Sequence, residues 1–86
     1  MVSFQYTIRD PLGIHARPAG MLAKLAKSYD GTTVYITKGD TTVRAGQLLM
    51  LMGLGVRTGD TVTVTAEGEQ EEEAAAALKE FFENSL

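Results

Sequence analysis

An 86-residue chain with 44% hydrophobic and 22% charged residues has room for one domain, residues 1–86, built on a modest core. Its formal charge of −3 lacks the basic balance of a nucleic-acid binder, while the absence of cysteine excludes a disulfide framework and a thiolate metal site. One histidine cannot build a histidine-rich metal site, MVSFQYTIRD shows no signal-peptide core, and the longest apolar run, Leu48–Val56, is far below the roughly 20 residues of a membrane span, so we expect a cytoplasmic protein without membrane insertion.

The first predicted element alternates Val2, Phe4, Tyr6 and Ile8 with Ser3, Gln5 and Thr7, the period-two pattern of a strand with one buried face. Asp10-Pro11 and Gly13 end it. Helical spacing follows from Ala16 to Tyr29, with Ala19, Leu22, Ala26 and Tyr29 as the core-facing stripe and Asp30-Gly31 as the stop. Arg17 precedes Pro18, a position that disfavours helical dihedrals, so the helix begins at either Ala16 or Pro18 and a capping role for His15 stays open. The β-branched runs Thr32–Thr37 and Thr41–Val43, joined by Lys38-Gly39-Asp40, predict a hairpin.

Gln47–Met52 predicts a brief helix ended by Gly53 and Gly55; of Leu48, Leu49, Leu51 and Met52, periodicity lets about half point inward. After the Thr58-Gly59-Asp60 turn, Val62, Val64 and Ala66 alternate with Thr61, Thr63 and Thr65 in a strand that Gly68 closes. The last segment, Gln70–Leu86, has Glu71, Glu72 and Glu73 in its first turn, where carboxylates suit the helix dipole, then Ala74, Leu78, Phe81 and Phe82 as an apolar stripe. The order β-α-β-β-α-β-α predicts an α+β fold, with one sheet covered by helices on one side.

Gly13-Ile14-His15-Ala16-Arg17-Pro18-Ala19 stands where the first loop enters the first helix. A helix start presents unpaired N–H groups and partial positive charge, which suits a phosphate and keeps an imidazole neutral and nucleophilic. Arg17 adds a fixed cation with several donors, and Pro18 gives up only an N–H that the helix start leaves unpaired. Taken alone, a histidine here reads first as a surface residue or a cap. Arg17, Gly20, Met21, Lys24 and Lys27 share the helix face opposite the apolar stripe, either a solvated face or a docking surface for an acidic partner. Outward residues among Leu48, Leu49 and Met52 would form an apolar patch suited to transient partners.

The G-I-H-A-R-P-A segment resembles the active-site signature of the HPr family, the histidine-containing phosphocarriers of the bacterial phosphoenolpyruvate-dependent sugar phosphotransferase system. The likeness extends over the chain: the element order, the Leu-rich short helix followed by Leu54-Gly55-Val56, the Gly59-containing turn and the Thr/Val strand ending in Gly68. It implies an open-faced β-sandwich, βαββαβα, with a four-stranded antiparallel sheet and three helices on one face. It implies further that His15 takes a phosphoryl group on Nδ1 from phosphorylated enzyme I and passes it to a sugar-specific enzyme IIA, with Arg17 assisting. Such a chain is a monomeric protein substrate rather than an enzyme. It needs no cofactor or metal and meets its partners through the first two helices, here Gly20, Met21, Lys24, Lys27, Leu48, Leu49 and Met52.

The chain departs from many Gram-positive members of that family, which carry a regulatory serine at the start of the short helix. Here Gly46 or Gln47 is the counterpart, and no serine or threonine occurs from Ala45 to Arg57, so seryl regulation is expected to be absent. A nitrogen-branch regulatory carrier shares the histidine motif, and Gly68-Glu69-Gln70-Glu71-Glu72-Glu73 is similar to that branch. A non-carrier HPr-like regulatory module is a third reading; such modules lose the histidine that this chain keeps.

Overall fold

The alternating segments become strands β1 (Val2–Thr7), β2 (Thr32–Lys38), β3 (Thr41–Arg44) and β4 (Thr61–Gly68) in a computed structural model that describes every residue, Met1–Leu86. They form one antiparallel sheet in the order β1-β4-β2-β3. Directly paired residues share a face, so the register lines up Phe4, Val64, Ile36 and Val43 in one inward row and Val2, Ala66 and Val34 in the next. The opposite face carries Ser3, Thr65, Tyr35 and Arg44, then Gln5, Thr63, Thr37 and Thr42. Threonine serves both needs there: its branched Cβ suits a pleated strand while its hydroxyl faces outward. Hydroxyl pairs Thr7–Thr61 and Thr37–Thr42, each at 2.8 Å, tie neighbouring strands on that face.

Helices α1 (Ala16–Lys27), α2 (Leu48–Gly53) and α3 (Glu71–Ser85) cover the inward face. The buried Phe82 of α3 meets Phe4 edge-on at 6.1 Å, Tyr6 at 5.4 Å and Phe81 at 6.1 Å, joining α3 to β1. Helix α1 ends two residues before the expected Tyr29. The Ser28 N–H donates to the Lys24 and Leu25 carbonyls, and its Oγ donates to Leu25 O at 2.6 Å, which closes the last turn. Tyr29 packs half-buried against the core from the turn that follows.

Helix α2 keeps within the expectation that only about half of its apolar residues turn inward, and narrows it to one. Leu51 is 1% exposed, whereas Leu48, Leu49, Met50 and Met52 all face outward. A six-residue helix has fewer than two turns, so only one of its positions points at the sheet. The turn beyond α2 braces the end of β1: Ile8 N–H donates to Asp60 O and Gly59 N–H to Ile8 O, both at 2.9 Å. The Asp60 carboxylate accepts the Arg57 backbone N–H at 2.9 Å and pairs with Lys38 Nζ at 3.1 Å. These two donors hold the Asp60 carboxyl below its ordinary range. Lys38 also donates to Gly55 O at 2.8 Å, fastening the β2–β3 hairpin to the same turn.

Candidate functional site

Asp10 is the pivot of the loop that delivers the sequence motif. Its N–H and that of Arg9 donate to the Leu86 main-chain oxygen at 2.8 and 2.6 Å; its own carbonyl accepts the Gly13 N–H at 2.9 Å and the Thr58 hydroxyl. Its Oδ1 accepts the Leu12 N–H at 2.8 Å, an Asx turn of the kind aspartate favours. Gly13 then takes φ +67°, a conformation glycine adopts without penalty, and lies against Val56 and Arg57. The buried Ile14 donates its N–H to Val56 O at 3.2 Å, which registers the loop on the segment after α2.

His15 emerges from this loop as the N-cap of α1, with extended backbone (φ −98°, ψ −179°), and its carbonyl accepts the Ala19 N–H at 2.9 Å. The helix therefore starts at Ala16 rather than Pro18. The bond closing its first turn outweighs the dihedral bias before proline, and Pro18 sits within the first turn, where its missing N–H leaves nothing unpaired. The imidazole makes no side-chain capping bond. It is about one-third exposed, with Nε2 3.6 Å from Asp10 Oδ2, and Nδ1 makes no hydrogen bond within the chain.

Arg17 is exposed in the first turn of α1, a turn without an acidic residue, and forms no ion pair. A cation at a helix N-terminus opposes the dipole, so its place is favourable only opposite an anion. Arg17, His15, Asp10, Pro18, Met21 and Ser85 line one shallow depression. The site thus joins an imidazole nucleophile, a cation and the N–H groups of a helix start, a combination with the chemistry to accept a phosphoryl group.

The structure separates residues that the sequence grouped on one helix face. Lys24 and Met21 line a groove with Leu25, Ser28 and Phe81 between α1 and α3, whereas Lys27 lies on the other flank, its stem against Gly46. Gly20, half-buried, faces open space where a Cβ would point. Leu48, Leu49 and Met52 are exposed on α2, and Met50 with them. Leu12, between Pro11 and Gly13, is also exposed. Sequence reasoning passed over both. A continuously apolar helix too short to bury every side, and a leucine in a tight turn, are the signals that mark them.

A family model described as the PTS HPr component phosphorylation site matches residues 2–84. The chain is 39% identical over 85 residues to the phosphocarrier protein HPr of Mycoplasma genitalium, covering 99% of this chain and 97% of that one. It is similar to the crystal structure of HPr from Thermoanaerobacter tengcongensis, with TM-score 0.92, 33% identity and coverage of 98% and 93%. It is also similar to Crh, the Bacillus subtilis catabolite repression protein solved as a swapped dimer, with TM-score 0.77, 32% identity and coverage of 100% and 98%.

Proposed function

Because the chain belongs to the HPr family of phosphocarrier proteins, we propose that it receives a phosphoryl group on Nδ1 of His15 from phosphorylated enzyme I. It then delivers that group to a sugar-specific enzyme IIA during phosphoenolpyruvate-dependent sugar uptake. The observation that carries the reading is the partly exposed imidazole with an unengaged Nδ1 at the start of α1, beside an Arg17 that has no acidic partner. In the transfer, the Nδ1 lone pair forms the new N–P bond while the donor's bond to phosphorus breaks and its electron pair leaves with the donor. Arg17 shares the charge on the phosphoryl oxygens, and the exposed setting leaves the group free to move on. Acid-labile phosphate on the intact protein after incubation with phosphoenolpyruvate and enzyme I is the expected result. Absence of any such group refutes the reading. Onward transfer to a sugar-type enzyme IIA, rather than only to a nitrogen-type one, assigns the branch.

On this reading the protein is a monomer that docks through α1 and α2, and it lacks seryl control because no hydroxyl side chain occurs from Ala45 to Arg57. Leu49 is 84% exposed, so Leu49→Glu is expected to change stability by less than about 0.5 kcal/mol. It nevertheless places a charge in the apolar patch, and we expect the KM of enzyme I for this substrate to rise about tenfold, since burying an unpaired carboxylate costs more than 1 kcal/mol. An unchanged KM removes α2 from the docking surface.

A further inference from the structure

We propose that Asp10 is a positioning residue for His15: it holds the imidazole as the tautomer protonated on Nε2, so that the lone pair is on Nδ1. The inference rests on the phosphocarrier reading for its consequence, but not for its geometry. Every polar atom of Asp10 except Oδ2 is hydrogen-bonded: N–H to Leu86 O, carbonyl to Gly13 and Thr58, and Oδ1 to the Leu12 N–H. The Asx turn uses Oδ1 alone. The remaining oxygen, Oδ2, is 3.6 Å from His15 Nε2, held there by a backbone fixed on both sides. That separation is longer than a formed hydrogen bond, as contacts of this kind often are before the reacting partner is in place.

A carboxylate has only acceptor sites, so an imidazole nitrogen facing it is favoured as N–H. In a neutral ring with one proton, a proton on Nε2 leaves Nδ1 as the base and nucleophile. When Nδ1 takes the phosphoryl group, the Nε2 proton stays where it is and the ring becomes cationic. The Asp10 carboxylate then faces that cation directly, while Arg17, the other charged group lining the depression, serves the phosphoryl oxygens. Thr58 contributes through Asp10, since its hydroxyl pins the Asp10 carbonyl from the turn that follows α2.

Asp10→Asn separates this role from a purely structural one. Asparagine forms the same Asx turn through its Oδ1, but it presents an NH2 donor to Nε2 and so favours the opposite tautomer. Imidazole nitrogen chemical shifts, measured about two pH units above the ordinary histidine value, report the tautomer without any phosphoryl donor. We expect the parent protein to be predominantly Nε2–H and Asp10→Asn to shift towards Nδ1–H, with amide shifts of Gly13 and Ile14 retained and phosphoryl acceptance slowed about tenfold or more. An identical tautomer in both proteins overturns the proposal. So does a tautomer shift with an unchanged rate of acceptance. If neither protein takes up phosphate, the phosphocarrier reading fails, and the tautomer measurement still decides whether Asp10 orders the ring.

Discussion

His15→Ala is expected to take up no acid-labile phosphate from phosphoenolpyruvate and enzyme I, while unfolding at nearly the midpoint of the parent protein. The two halves of this result have separate causes. The chain has no other histidine and no cysteine, so removing the imidazole removes the only imidazole or thiol able to accept the group. Little stability is lost because the cap of α1 is made by backbone: the His15 carbonyl accepts the Ala19 N–H, and its side chain makes no capping bond. We expect a change of less than about 1 kcal/mol, as for a partly exposed side chain without a structural hydrogen bond. Intact mass before and after acid treatment, with a denaturant melt, checks both. Acid-labile phosphate that persists in the variant would move the acceptor elsewhere; a collapsed fold would make His15 structural.

Gly13→Ala is expected to damage both the fold and the site. At φ +67° an alanine pays the left-handed penalty of about 1–2 kcal/mol, and its methyl would collide with Val56 O and lie 2.8 Å from Arg57 Cα. Both neighbours are backbone, braced by the Arg57–Asp60 turn and by the Ile14 bond to Val56, so neither yields easily. A total loss of about 2–4 kcal/mol follows, and the loop that carries Asp10 and His15 must shift, slowing phosphoryl acceptance with it. Gly20→Ala is the matched control. Nothing lies within 4 Å of a Cβ there, inside a helix, so it should raise stability by about 0.5–1 kcal/mol. Equal midpoints for Gly13→Ala and the parent would show that the loop has room the structure denies it.

Much of this fold was legible in the residues because the relevant preferences are local. Period-two alternation in β1 and β4, the apolar stripes of α1 and α3 and the Glu-rich start of α3 each express which side of a short segment leaves water. The glycine-to-alanine motif likewise put His15 at a helix start beside Arg17, and the resemblance it carried set the phosphocarrier family. What the residues left open concerned contacts between distant segments. The course of the loop that brings His15 to the start of α1 is set by anchors on Val56, Thr58 and Leu86, all remote in sequence. The exposure of Leu48, Leu49, Met50 and Met52 depends on how α2 sits on the sheet, which helical periodicity alone does not specify. Lys24 and Lys27 part company because α3 fills one flank of α1 and the approach to α2 the other.

His15 illustrates the division most clearly. Its presence, its place at a helix start and its neighbour Arg17 were determined by the sequence, since all three are properties of seven consecutive residues. Which ring nitrogen faces Asp10 and which is unengaged was decided only by the tertiary structure. The orientation of one imidazole depends on a loop pinned to a turn 48 residues further along the chain, and no local preference carries information across that distance.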